Sequence, residues 1–533
     1  MKHREVWKSK LGIIMAVAGS AIGLGNFLRF PVQACQNGGG AFMIPYFAAL
    51  FLLGIPLMWV EWTIGRFGGG FEHGTAPGIF HSMWRKNRFI KYFGVIGIFG
   101  PIVIFIYYTY IESWLLGYSL FSLAGRYAGI ADEAGMVSFL RGYQGIFRNE
   151  YFSGLGTAYL FFLITFGLNM LVILFGIRKG IERLCNIALP TLLVLALVIM
   201  VRVLTLHPPI DPAWTPSRGL GFLWNPDFTA LKDAKVWLAA AGQIFFTLSV
   251  GIGVILTYAS YLKKNDDVLL SGLTAAGMNE FAEVIIGGSI VIPAAFVFFG
   301  PAGIGRIAQQ GSFDLGFVTM PFILKTFPAG PLFGFLWFIL LFLAGITSSI
   351  SLAQPAVAFL EDEFNISRKK AVTVFGITCF VLSNFAILFL ARGVVDELDF
   401  WGGTFALVVF ATIETILFGW IFGIDRAWEE MHSGSDIRIP AVYKFIIKYV
   451  TPAFLLAILG FWTYQQAIPT LMLKGVAKEN IPFIVGTRVM LIGLFLAICL
   501  MVKKAWDRKK KTNYIPQSLF DILEEENAGG EKG

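Results

Sequence analysis

What most constrains this chain is a succession of long apolar runs separated by short, often basic loops. Twelve runs of about 20 residues or more can be drawn. They fall at 11–36, 41–70, 89–122, 155–177, 183–206, 236–262, 268–300, 330–361, 371–391, 396–423, 443–469 and 482–504. A helix of that length crosses the hydrocarbon layer of a bilayer. Inside that layer every backbone N–H and C=O must be satisfied within the protein, so the spanning element is a helix. The runs predict an all-α polytopic membrane protein with 12 transmembrane helices. Composition agrees, with 56% hydrophobic and only 14% charged residues, where a soluble chain carries about 25% charged. The first run is too long for a secretory signal and lacks a small-residue cleavage site.

Lysine and arginine set the direction. "MKHREVWKSK", "RKNRFIK" (85–91), "RKG" (178–180), "KK" (263–264), "SRKK" (367–370) and "KKAWDRKKK" (503–511) all fall on one side of a twelve-span chain. The outer loop 123–154 balances Arg126, Arg141 and Arg148 against Asp132, Glu133 and Glu150. Positive residues stay inside, so both termini are expected in the cytoplasm of a plasma (bacterial inner) membrane protein. The "NIS" at Asn365 then faces inward and is no glycosylation site. The net charge of +8 is a topology signal and predicts no nucleic-acid partner. Cys35, Cys185, Cys379 and Cys499 lie in or beside apolar runs with no CxxC, as small buried hydrophobes do. His3, His73, His81, His207 and His432 all fall outside the spans, against an intramembrane metal centre or histidine acid–base chemistry.

Two spans carry interruptions. "GSAIGLGNFLRFP" (19–31) places three glycines, an asparagine and an arginine in the first. "FFTLSVGIGVILT" (245–257) places Gly251 and Gly253 in the sixth, just after Thr247 and Ser249. A GxxxG such as Gly19–Gly23 commonly means close helix packing. Two clusters at matching places, each beside polar residues, point instead to unwound helices. They stand five spans apart, so the second block of five runs opposite to the first. That is an inverted repeat, whose paired breaks mark a binding site. The expected organisation is a cytoplasmic segment 1–10, repeats 11–206 and 236–423, helices 11 and 12 over 443–504, and a cytoplasmic tail 505–533. A broken helix exposes N–H groups at one half and carbonyls at the other, which suits an anion and a cation held together. A carboxylated solute with a metal ion meets that description.

The blocks "AIGLGNFLRFP", "NGGGAFMIPY", "GIPLMWVEW", "GQIFFTLSVGIG", "GITSSIS" and "DFWGGT" resemble the neurotransmitter:sodium symporter family, in its bacterial leucine-transporter type, from about Arg4 to the end of span twelve. The loop 123–154 is the most divergent part. The resemblance implies a 5+5 inverted-repeat, leucine-transporter-like fold with helices 1 and 6 unwound, and two sodium sites. The first would use Ala21, Asn26, Thr247 and Asn279 with the substrate carboxylate. The second would use Gly19, Ile22, Ala344, Thr347 and Ser348. Neutral oxygens of this kind suit a hard monovalent cation that must later leave. The implied substrate pocket combines Ser20, Ala21, Leu24, Gly25, Ile104, Tyr108, Phe246, Thr247, Ser249, Ile252, Ser348 and Leu352. Tyr108 would bond the carboxylate and, with Phe246, close over it. Gly23 stands where monoamine-carrying relatives have an aspartate, so here the substrate must bring its own carboxylate. Ser20, Ile104 and Ile252 depart from the leucine-transporter pattern of asparagine, valine and phenylalanine.

Charges at depth are costly and draw a functional reading. Arg29 and Asp399 resemble the family's extracellular gate, and Arg4 and Asp362, with Trp7, Ser260 and Tyr261, its cytoplasmic gate. Glu283 lies one turn beyond Asn279 on span seven. Chloride-dependent relatives carry a small neutral residue there, so Glu283 is expected to balance the sodium charge without chloride, and to be able to carry a proton on the return step. Glu61, Glu112, Glu280 and Glu414 are expected only to bond neighbouring helices. The expected function is sodium-coupled import of neutral, hydrophobic amino acids by alternating access, in a protein that is not an enzyme. Proton coupling and an amino-acid sensor on the same scaffold are the alternatives; the exact substrate, sodium stoichiometry and oligomeric state stay open.

Overall fold

The computed structural model describes residues 5–309 and 311–511. Eleven of the helices it contains are spans of simple bounds or a bent pair. α1 comes in two pieces, Lys10–Ala21 and Gly25–Gln36, bent by 45° at the break. The others are α2 (Gly40–Gly69), α3 (Ile90–Leu123), α4 (Gly156–Leu174), α5 (Ile177–Leu204), α7 (Leu269–Phe299), α8 (Gly330–Phe364), α9 (Arg368–Leu388), α10 (Val394–His432), α11 (Val442–Leu471) and α12 (Lys478–Lys509). α6 is split into Ala234–Leu248 and Val254–Ala259. The two halves of α6 complete the expected twelve spans.

Local chemistry explains the ends. Ser9 caps α1, its side chain accepting from Gly12 N, and Glu182 accepts from Lys8 N and Ser9 Oγ to fasten that cap to α5. α5 begins at Ile177, earlier than the apolar run does, because Gly176 turns the chain at φ +82 and the basic "RKG" then winds into the helix. The apolar run of α10 stops at Gly423, where φ is +95, and Ile424–His432 follows as a further helical piece. The loops 123–154 and 207–235 hold helices of their own. Asp132 caps Glu133–Tyr143, and Thr215, followed by Pro216, caps Pro216–Trp224.

The interior is built from α2, α3, α7 and α8, whose most apolar stretches are 72–83% buried within the protein. α3 packs along α8, and the broken α1 is held by α5, α7 and α8. α4, α5, α9, α11 and α12 keep most of their apolar surface outward, as helices facing lipid do. The two breaks therefore sit inside a shell of continuous helices.

Candidate functional site

Between Ala21 and Gly25 the first helix stops. Ile22 has ψ 85, and the outer half restarts at Leu24 with no side-chain cap. In α6 the stop is sharper. Ser249 takes φ +54, Gly251 +75 and Gly253 +85 before Val254 resumes the helix. The breaks touch each other. Ser249 Oγ donates to Ser20 O at 2.9 Å, and Ser348 Oγ donates to the same carbonyl at 3.1 Å. Orphaned backbone groups in hydrocarbon cost several kcal/mol each unless something satisfies them. One partner is Glu61 of α2, which accepts from Gly251 N.

On one side of the breaks, neutral oxygens converge. Asn26 Oδ1 accepts from Gly23 N at 2.9 Å, and Asn26 Nδ2 stands 3.3 Å from Thr247 Oγ1 and 2.8 Å from the Asn279 amide. One end of that amide lies 3.2 Å from Ala21 O and 3.1 Å from Thr247 O. With oxygen at that end, three acceptors face one another with no hydrogen between them; with nitrogen there, the amide bridges both carbonyls. Either way the expected first-site residues Ala21, Asn26, Thr247 and Asn279 meet at one point.

A carboxylate borders this point. Glu283 accepts from Thr247 Oγ1, and its Oε1 accepts from Gln243 Nε2 and Tyr46 Oη, each at 2.9 Å. Tyr46 Oη also lies 2.7 Å from Glu280 Oε2.

The second expected group assembles on α8. Ser348 Oγ also lies 3.4 Å from Gly19 O and 3.1 Å from Ala344 O, and Thr347 Oγ1 stands 3.1 Å from Ala344 O. Ile22 sits at the break itself. Gly19 lets α8 come this close, since a Cβ there would stand 3.2 Å from the Thr347 Cβ.

Open space borders the α1 break at Gly25. A Cβ added at Gly25 would meet no atom within 4 Å, beside the uncapped start of the outer half-helix. One at Gly23 would stand 3.1 Å from Ser348 Oγ and 3.5 Å from Tyr108 Oη. Ile104 and Leu352 are buried on the packed pair α3 and α8. Ile252 borders a narrow cleft with Gly100, Gly402 and Ala406.

The sodium:neurotransmitter symporter family model matches residues 4–129 and 139–506. The chain belongs to that family. The unmatched interval lies in the outer loop that reads as most divergent. An uncharacterized sodium-dependent transporter of Methanocaldococcus jannaschii is 33% identical over 469 residues, covering 86% of this chain and 90% of the relative. The sodium-dependent transporter YhdH of Bacillus subtilis is 31% identical, over 77% and 84% of the two chains. The crystal structure of MhsT in complex with L-phenylalanine superposes with a TM-score of 0.73 at 30% identity, covering 85% of this chain and 99% of MhsT. This member of the symporter family is thus a multi-pass membrane protein of leucine-transporter-like fold, a sodium-coupled transporter of a small molecule and not an enzyme.

Within this symporter the two charges of the expected Arg29–Asp399 gate have other partners. Arg29 and Asp399 are not in ion-pair contact. The Arg29 guanidinium lies 3.5 Å above the Phe246 ring, and Asp399 accepts from Tyr107 Oη at 2.5 Å. The cation rests on an aromatic face and the carboxylate takes a neutral donor, while Arg29 Nη1 is buried without a hydrogen-bond partner among the described residues. On the inner side Arg4 lies outside the described residues. Its neighbour Trp7 donates to Tyr258 O at 2.9 Å, and Tyr261 Oη accepts from Gln354 Nε2 at 2.9 Å. Ser260 Oγ donates to Thr257 O at 2.6 Å.

Sequence reasoning missed Tyr46 and Gln243. Gln243 could have been found, because it precedes Thr247 by four residues and so shares its face. Tyr46 ends the block "NGGGAFMIPY", but no local pattern gives its partners. Glu61 and Glu112 do bond neighbouring helices: Glu61 reaches the α6 break, and Glu112 accepts from Asn169 Nδ2 of α4 at 3.2 Å.

Proposed function

We propose that this protein imports neutral, hydrophobic amino acids by sodium symport, without chloride. Support comes above all from one juxtaposition: the oxygen cluster at Ala21, Asn26, Thr247 and Asn279 adjoins the open space at Gly25. The substrate carboxylate takes the N–H groups at the start of the outer half-helix and Tyr108 Oη. It also completes the coordination of the first sodium. The second sodium lies among Gly19, Ile22, Ala344, Thr347 and Ser348. The substrate side chain rests among Ser20, Leu24, Ile104, Phe246, Ser249, Ile252 and Leu352, a mainly apolar wall. MhsT, crystallised with L-phenylalanine, is consistent with that class. Both termini face the cytoplasm, and the repeats span 11–206 and 236–423. Arg29 and Asp399 approach when the outer side closes; Arg4 and Asp362 do the same inside.

The experiment is uptake in proteoliposomes under an imposed sodium gradient, with competition by each of the twenty amino acids and chloride replaced by gluconate. Sodium-driven uptake suppressed by apolar amino acids supports the reading. Uptake unchanged when choline replaces sodium at fixed pH would transfer it to proton coupling.

Two substitutions probe the finer assignments. Glu283→Ser removes the charge beside the first sodium, and uptake is expected to become several-fold faster in chloride than in gluconate. Equal rates in both anions would refute the charge-balance role. Ile252→Phe fills part of the wall, and competition is expected to shift about tenfold toward smaller side chains, the scale of one or two methylenes in an apolar pocket. An unshifted competition series would remove Ile252 from the pocket.

A further inference from the structure

The twelfth helix stands outside both repeats, yet buried ion pairs tie its two ends to the helices that carry the gate carboxylates. Near the outer end, Arg488 Nε donates to Glu397 Oε1 at 2.5 Å, while its other nitrogens donate to Leu471 O at 2.9 Å and Thr470 O at 2.6 Å. Glu397 is buried and also accepts from Trp401 Nε1 at 2.6 Å. It precedes Asp399 by two residues at the start of α10. Near the inner end, Lys509 Nζ donates to Glu363 Oε2 at 2.6 Å. The other oxygen of Glu363 pairs with His73 Nδ1 at 2.8 Å. Glu363 has a fully buried side chain and adjoins Asp362 at the end of α8. Trp506 reinforces the contact by stacking on His73, with centroids 5.9 Å apart and planes 8° apart, and Arg508 donates to Phe364 O at 3.2 Å.

Twenty-one residues separate Arg488 from Lys509. That is a rise of about 32 Å, the thickness of the hydrocarbon layer. Each cation therefore sits at one membrane face. Between them α12 packs on α3, and no other helix is needed to join the two ends. A buried carboxylate that loses its cation is strongly destabilised, so neither end slips free of its partner at small cost. A stiff helix held in this way at both faces cannot let the start of α10 move without loading the end of α8.

We infer that α12 is a strut coupling the two gates, with Glu397 and Glu363 as positioning residues for Asp399 and Asp362. The inference rests on the proposed alternating-access symport and its gate assignments. Motion of the outer gate reaches the inner gate through Arg488 and Lys509, beside whatever passes through the substrate site.

The test breaks one end and reads the other. Hydrogen–deuterium exchange is measured on the full chain in nanodiscs for wild type, Arg488→Met and Lys509→Met. Arg488→Met is expected to speed exchange at least threefold in the inner segments 5–12 and 257–262. Lys509→Met is expected to do the same at 394–404. In proteoliposomes each variant should lose at least fivefold in maximal uptake rate with KM unchanged. A paired variant, Glu397→Leu with Arg488→Met, replaces the ion pair by apolar groups and preserves the fold; it too should speed inner exchange. Exchange altered only at the broken end, in single and paired variants alike, would overturn the strut. Exchange does not require transport, so absence of sodium-driven uptake in wild type would overturn the proposed function instead.

Discussion

Asn279→Ala should raise the sodium concentration for half-maximal uptake by about tenfold to a hundredfold. Its amide stands where two backbone carbonyls, Ala21 O and Thr247 O, come within 3.2 and 3.1 Å, and it also meets Asn26 Nδ2 at 2.8 Å. Removing one ligand of a desolvated cation loses an interaction worth about 1.5–3 kcal/mol. Each 1.4 kcal/mol is about tenfold in affinity. The variant should also lose apparent affinity for the amino acid, since the proposed site holds ion and substrate together and linkage is reciprocal. Thermal unfolding separates this from damage to the fold. Ligand that binds only the native state stabilises it, so sodium should raise the melting temperature of wild type and far less that of the variant. An unchanged sodium activation curve would remove Asn279 from the site.

Gly253→Ala should abolish uptake and reduce stability by about 2–5 kcal/mol. Gly253 has φ +85, where a side chain costs about 1–2 kcal/mol. The new Cβ would stand 2.5 Å from Gly97 O and 2.9 Å from Gly97 Cα, both backbone atoms of α3. A clash with helix backbone is relieved only by moving α6 away from α3, and such overpacking costs about 1–3 kcal/mol more. The inner half of α6 starts at Val254, so the displacement propagates into the break. Gly277→Ala is the control, on an α7 position where a Cβ would meet nothing within 4 Å. It should transport normally. Normal uptake by Gly253→Ala would show that the break tolerates rewinding.

How much could be read beforehand depended on the range of the interaction. The spans were legible because length and apolarity are local properties, and Gly423 marked the end of the α10 run through its own conformation. Gly251 and Gly253 announced the second break because only positive φ calls for glycine there. Convergence of Asn26, Thr247 and Asn279 was legible only through the family motifs. Residues from three helices meet there, and no periodicity links them. Tyr46 against Glu280 and Glu283, and Glu61 against Gly251, depend on how α2 packs, which no local pattern encodes. The expected Arg29–Asp399 contact is absent: Arg29 lies over Phe246 and Asp399 accepts from Tyr107, packing that no local pattern encodes. Helix α12 runs past its apolar limit at 504 because lysine and arginine are good helix formers and Trp506 and Lys509 dock at their own sites.

If an amino acid and its sodium together hold the gaps in α1 and α6, their binding is linked. Equilibrium binding of a labelled apolar amino acid to the purified protein tests it most directly, with sodium titrated against choline at constant ionic strength. Affinity is expected to climb with sodium, and the amino acid to raise sodium affinity by the same factor. Equal amino-acid affinity in choline and in sodium would contradict it.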